Sequence, residues 1–141
     1  GGERVLDLGT GTGILAISAK KLGASMVLAL DIDYRACRVA MENLKKNNIQ
    51  SGINIVRASI EAVQGPFHVI VANIRADILA GMVKDFPQLL LPKGILILSG
   101  IKEQEGLGFA DFLTRHGFIE LNSIVKEGWM TITCKKGPFP H

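Results

Sequence analysis

The stretch Val5-Leu6-Asp7-Leu8-Gly9-Thr10-Gly11-Thr12-Gly13-Ile14-Leu15-Ala16-Ile17 decides the fold. Val5 to Leu8 is a short apolar run bounded by glycine, which reads as a buried strand. Ile14, Ala16 and Ile17 open a helical stretch from Gly13 to Leu22, stopped by Gly23. Between them stand Gly9, Gly11 and Gly13, at alternate positions, more glycine than a bare strand-to-helix turn requires. A ligand at such a turn meets the strand's carboxyl end and the helix N-terminus, where free N–H groups collect. Glycine lets the chain turn sharply and lets a ligand approach the backbone. The spacing Gly-x-Gly-x-Gly is not the Gly-x-Gly-x-x-Gly of dinucleotide sites. Asp7, two residues before Gly9, would repel a pyrophosphate and suits a ligand with a cationic amino group.

Outward from this turn, short β-branched runs alternate with helical stretches. Strands are expected at Met26 to Asp31, Ile53 to Val56, Phe67 to Asn73 and Ile95 to Leu98. Helices are expected from Tyr34 to Asn47, from Ile78 to Leu91 with a break at Pro87, and from Glu103 to His116. Pro92-Lys93-Gly94 reads as a turn into the fifth strand. Phe118 to Val125 and Trp129 to Cys134 face each other across Lys126-Glu127-Gly128 as an antiparallel hairpin. Five strand–helix units and a closing hairpin make an α/β, doubly wound, mainly parallel sheet. Helices on both faces predict strands that are apolar throughout. Nicotinamide-type folds continue with parallel strands, whereas methyltransferase folds finish with an inserted antiparallel one.

Composition sets the outer limits. With 141 residues, 48% hydrophobic and 21% charged, the chain has the size of one globular domain. It has no apolar run of the ~18 residues a membrane span needs. The net charge of +3 is too small to imply nucleic acid, and the lysine pairs read as solvated helix faces and a basic tail. Cys37 and Cys134 supply neither a disulfide framework nor a zinc site. No metal site is expected, and a reduced, cytoplasmic setting is the default. The opening on Gly1, with a strand close behind, suggests a catalytic core cut from something longer, with residues 1–141 as one cofactor-binding catalytic domain.

Asp31 closes the second strand, 22 residues after Gly9, where a carboxylate can accept hydrogen bonds from both hydroxyls of a ribose. It could instead cap the next helix, a task Asp33 can perform alone. With Asp7 this describes a nucleoside bearing a cationic amino-acid tail, which S-adenosylmethionine fits. The ribose meets Asp31, the amino group lies near Asp7, and the tail carboxylate faces the amides of the glycine turn. Thr10 belongs to that turn, and the adenine is expected over Ile32 and near Ser59 and Ile60. At the end of the fourth strand, Asn73 either forms an Asx-type turn or aims an incoming amine with its side-chain amide.

The opening segment resembles the first motif of class I methyltransferases. Asp31-Ile32-Asp33, Val71-Ala72-Asn73-Ile74, Leu98-Ser99-Gly100-Ile101 and Glu127-Gly128-Trp129 extend the likeness. In that order they are similar to the ribosomal protein L-11 methyltransferase (PrmA type) family. The resemblance covers the whole chain. It implies a seven-stranded sheet with an antiparallel last strand and cofactor contacts at Gly9, Asp31 and Asn73. It further implies N-methylation of lysine side chains and of the N-terminal amine of a large-subunit ribosomal protein. Members of that family also carry an N-terminal substrate-recognition domain, a linker and a threonine-containing loop, absent from this sequence. Thr10 and Thr12 stand where cysteine and serine are commoner, and His68 stands where aspartate is usual.

Alternatives stay open at this level: a small-molecule methyltransferase of the same fold, or a non-catalytic cofactor-binding module. Base methylation fits poorly, because Asn73-Ile74-Arg75-Ala76 lacks the prolines and aromatic that stack an extruded base. No convincing general base emerges; Asp77 is a candidate and His116 sits at a helix end. Trp129 reads as packing, His68 as structural, and both cysteines as small buried apolar residues. The number of methyl groups transferred and the oligomeric state are not encoded in any motif.

Overall fold

The glycine turn joins β1 (Arg4–Leu8), buried from Val5 onward, to α1 (Ile14–Lys21). These and all later elements are those of the computed structural model, which describes residues 1–138. The chain divides into two units, the first Gly1–Val63 and the second beginning at Gln64.

In the first unit, β2 (Met26–Asp31) lies between β1 and β3 (Ile53–Arg57), all parallel. Leu6, Val27, Ala29 and Ala40 are fully buried at its core. The Asp33 carboxylate accepts the Arg35 N–H at 2.9 Å and so caps α2 (Tyr34–Lys46). Lys20 and Lys21 end α1, and Lys45 and Lys46 end α2, where positive charge favours the helix dipole.

In the second unit, β4 (Phe67–Asn73) runs parallel to β5 (Leu90–Lys102). β6 (Phe118–Lys126) and β7 (Trp129–Lys136) form the hairpin, with β7 antiparallel to β5 and the order β4-β5-β7-β6. Glu127 (φ 53) and Gly128 (φ 83) both lie in the left-handed region, as a tight two-residue hairpin turn requires. Phe67, Ile70, Phe86, Leu96, Leu98 and Ile132 fill the core. α5 (Glu103–Arg115) connects β5 to β6. The seven strands, parallel except around β7, and the intervening helices are the α/β arrangement that the sequence implies.

Five details differ from the sequence reading. The helix expected from Ile78 to Leu91 is α3 (Ala76–Met82), a 3-10 turn over Val83–Asp85, and the short α4 (Phe86–Leu89). Pro87 lacks an N–H, so it fits only the first turn of a fresh helix, where none is needed. β5 starts at Leu90 rather than Ile95 and takes in Pro92-Lys93-Gly94, where Lys93 has φ 64 and the pairing with β4 jumps from Leu90 to Ile95, so the expected turn is a bulge within the strand. The connection from β3 to β4 holds a single 3-10 turn, Ile60–Ala62, because only residues 58–66 are available to it. Finally, the outermost strands β3 and β6 are largely exposed, since nothing pairs with one edge of each. Lys135 and Lys136, read as a basic tail, belong to β7.

Candidate active site

The first unit gathers most of the expected ligand-binding residues around the tips of β1 and β2. Gly9 (φ 66), Gly11 (φ 56) and Gly13 (φ 82) all take left-handed conformations that only glycine adopts without cost. The turn is stitched in place: Thr10 N donates to Leu30 O at 2.8 Å, and Gly13 N to Thr10 O at 2.8 Å. Asn43 Nδ2 of α2 donates to Thr12 O at 2.8 Å. A side chain at Gly13 would lie 3.1 Å from Cβ of Ala40, so this glycine also permits close approach of α2.

Asp31 stands at the end of β2, half-buried. Its Oδ2 accepts Gly11 N–H at 3.0 Å and its Oδ1 accepts Asp33 N–H at 2.9 Å. A carboxylate offers about four lone-pair positions, so two remain for ligand hydroxyls. Next to it Ile32 is 70% exposed, an apolar side chain free to meet a flat ring. Arg57, paired with Asp31 across the sheet, donates from Nε to Ile32 O at 3.1 Å and steadies that loop. Ser59 is exposed at the start of the 3-10 turn, whereas the Ile60 side chain is buried.

Asp7 is the electrostatic centre of this cluster. It is 1% exposed. Thr10 Oγ1 donates to its Oδ2 at 2.8 Å. Its Oδ1 has no hydrogen-bond partner among the described residues. Burial pushes the carboxyl up to about 6, against the pull of the Thr10 hydroxyl and the Ala16 amide; the nearby Asp31 charge adds to the rise. A buried acceptor without a donor costs free energy that a ligand can return. An alkylammonium group would satisfy Oδ1 and hold the carboxylate ionised. These features fit the amino-acid end of S-adenosylmethionine.

Asn73 belongs to the second unit, exposed at the end of β4 and opposite Ser99 of β5. With Arg75, Ser99, Gly100, Trp129 and Thr131 it lines a cavity of about 490 Å³. Trp129, read from sequence as packing, is 51% exposed and forms part of this wall. It pairs with Lys102 of β5 on one side and Lys126 of β6 on the other, at the hairpin end. The sequence reading placed only Asn73 here; Ser99, Gly100 and Trp129 were visible as motif residues but not as lining.

Among the described residues, no aspartate, glutamate or histidine lines the cavity. Asp77 is engaged instead by Arg75, through Nε at 3.0 Å and Nη2 at 2.5 Å. That guanidinium holds the Asp77 carboxyl below its usual range, which makes it a poor proton acceptor. His116 caps the end of α5 with Nδ1 2.8 Å from Phe112 O. Both cysteines are buried; burial pushes the Cys134 thiol up to about 12, so it stays protonated. No cluster of three or more metal-ligating side chains occurs among the described residues. No helix among them is long and apolar enough to cross a membrane.

Comparison with solved structures places the fold. A methyltransferase from Pyrococcus furiosus superposes with a TM-score of 0.83 at 21% identity, covering 97% of this chain and 76% of that one. The ribosomal protein L11 methylase of Lactobacillus delbrueckii subsp. bulgaricus gives a TM-score of 0.92 at 34% identity, covering 97% of this chain and 71% of that one. The fold is therefore that of the Rossmann-like methyltransferases.

In sequence, the ribosomal protein L11 methyltransferase of Halalkalibacterium halodurans is 40% identical over 139 residues, 97% of this chain and 44% of its own length. The family model for ribosomal protein L11 methyltransferase (PrmA) matches residues 1–137, and the chain belongs to that family. It spans about half the length of the curated relatives it matches.

Proposed function

We propose that this chain is the cofactor-binding and catalytic part of an S-adenosylmethionine-dependent N-methyltransferase. Its acceptors are amino groups, lysine side chains and the N-terminus, of ribosomal protein L11. The observation that carries the reading is Asp7 Oδ1, a buried carboxylate oxygen without a hydrogen-bond donor, at the foot of a glycine turn. A cationic amino-acid tail on a nucleoside supplies that donor, and a dinucleotide does not. The family membership supports the protein substrate. A cytoplasmic setting goes with such a substrate.

When bound, S-adenosylmethionine supplies an electrophilic methyl group on a sulfonium. Asp7 holds the amino group of its tail, with Gly9, Thr10, Gly11 and Gly13 as the turn on which that tail rests. Asp31 accepts from the ribose hydroxyls. Ile32, Ser59 and the backbone at Ile60 border the adenine. By family resemblance Asn73 has two tasks, a contact to the cofactor and orientation of the acceptor amine. The cavity beside Asn73 receives the acceptor side chain, its apolar stem against Trp129. An amine must lose its proton before it attacks, since a lysine has a pKa of about 10.4. Among the described residues no acid–base side chain lines the cavity, and the proton leaves to water. In the transfer a carbon–nitrogen bond forms as the carbon–sulfur bond breaks. The chain's contribution is positioning and exclusion of water.

Thermal denaturation with S-adenosylhomocysteine, with NADH alongside, tests the cofactor assignment. Ligand at 100 times its dissociation constant adds about 2.7 kcal/mol of stability. Stabilisation by S-adenosylhomocysteine alone is expected, with loss of the effect in Asp31→Ala. Stabilisation by NADH instead, or an unchanged shift in Asp31→Ala, refutes it. Transfer of labelled methyl groups to ribosomal protein L11 by the full-length protein tests the substrate.

A further inference from the structure

We infer that Gly100 is a positioning residue for Asn73, acting by the absence of a side chain. The inference rests on the reading of Asn73 as the group that orients the acceptor amine. Asn73 ends β4 and Ser99 lies opposite it in β5; one residue later the chain reaches Gly100 in the left-handed region, φ +83. The two strand ends are tied by Ile74 N donating to Ser99 O at 3.1 Å. At this point the β5 backbone turns against the Asn73 amide. A Cβ built on Gly100 would lie 2.8 Å from Asn73 Oδ1, 2.9 Å from Ile74 O and 3.0 Å from Ile74 N. Two of these distances are under the 3.0 Å that real Cβ atoms essentially never breach, and two of the three atoms are Ile74 backbone.

Asn73 Oδ1 thus occupies space that a side chain on Gly100 would claim. All three residues, Asn73, Ser99 and Gly100, line the same cavity. Any side chain at position 100 displaces Asn73 Oδ1 first, because Oδ1 ends a rotatable side chain whereas the Ile74 contacts are backbone, with Ile74 N tied to Ser99 O. A catalytic group misplaced by about 1 Å can lose on the order of 100-fold in rate. The left-handed backbone alone would also favour glycine, so two effects must be separated: backbone strain and the displaced amide.

Two substitutions and one cycle separate them. Gly100→Ala and Gly100→Asn both add the same Cβ, but asparagine tolerates the left-handed region better than alanine. The full-length protein is assayed for methyl transfer to ribosomal protein L11, with melting temperature and S-adenosylhomocysteine affinity measured on each variant. Both variants are expected to melt within about 10 °C of the parent. Both are expected to lower kcat by roughly 10- to 100-fold, with the acceptor KM within about threefold. In an Asn73→Ala background both substitutions should lower kcat much less than in the wild type, because only the contacts with the Ile74 backbone remain. Losses that add in full to that of Asn73→Ala, or that follow the melting temperature from one variant to the other, overturn the inference. If Gly100→Ala does not fold, Gly100→Asn carries the same cycle. Full turnover in Asn73→Ala overturns instead the role given to Asn73.

Discussion

Asp7 makes a prediction in which stability and ligand binding respond to pH in opposite directions. Its carboxyl is raised from 3.8 to about 6 because burial disfavours the charge and, to a lesser degree, because the Asp31 charge lies nearby. A displacement of about two pH units is worth ~3 kcal/mol. In the ligand-free fold the protonated form is favoured. Asp7 therefore contributes stability that is fully present below pH 3.8 and is lost as the pH rises toward about 6. The comparison variant is Asp7→Asn, which keeps an acceptor for the Thr10 hydroxyl and does not titrate. At any one pH its stability is ambiguous, since the added Nδ2 can be left without an acceptor at a cost of ~1–3 kcal/mol. The pH slope is not ambiguous. Between pH 6 and pH 4 the wild type should gain on Asp7→Asn by ~1.4 kcal/mol per pH unit, read by urea unfolding.

Binding should run the other way. An ammonium group needs Asp7 ionised, so affinity for S-adenosylhomocysteine should fall about tenfold per pH unit below about 6. Methylthioadenosine keeps the adenine and ribose but has no amino-acid tail. Its affinity should stay flat from pH 7 to pH 5. Titration calorimetry of both ligands across that range decides the matter. Parallel pH profiles for the two ligands would refute the placement of the amino group at Asp7. Parallel stability profiles for wild type and Asp7→Asn would refute the raised carboxyl itself.

Trp129→Ala should raise the acceptor KM by roughly 3- to 30-fold, the worth of ~0.5–2 kcal/mol from an aromatic face against a cationic or alkyl chain. Its affinity for S-adenosylhomocysteine should not change, and an unchanged KM would return Trp129 to a packing role. Lys136 Nζ donates to Pro87 O at 2.6 Å and Leu90 O at 3.1 Å, joining β7 to the end of α4. Lys136→Met leaves both carbonyls without that donor and should cost ~1–3 kcal/mol in urea unfolding, with turnover of the folded enzyme intact. A loss below about 0.5 kcal/mol would mean that water replaces the ammonium at little cost.

What can be read along the chain is what local geometry and periodicity enforce. Glycines at 9, 11 and 13 announce left-handed backbone, and all three have it. Asp33 before Tyr34 announces a helix cap, and it accepts the Arg35 N–H. Glu127-Gly128 between two β-branched runs announces a hairpin, and both residues take positive φ. The succession of strands and helices, the closing hairpin and the glycine turn with its following carboxylate were therefore legible, and with them the methyltransferase fold. Pro87 was legible as a break, but the chain's restart as α4 and then β5 from Leu90 depended on the packing of Phe86 and Leu89 into the core.

Other features arise only when distant segments meet. Asn73 and Ser99 are 26 positions apart, and only the parallel register of β4 and β5 sets them side by side. Trp129 reaches the same cavity through a hairpin that returns antiparallel to β5, pairing with Lys102 on one side and Lys126 on the other. Nothing in its local sequence distinguishes that position from an ordinary packed strand residue. The isolation of Asp7 Oδ1 is likewise tertiary: the sequence supplies the carboxylate, but burial of β1 among its neighbours removes water from it and leaves its second oxygen without a donor. Backbone preference acts over a few residues and is written locally. Solvent exclusion and strand register are properties of the assembled fold.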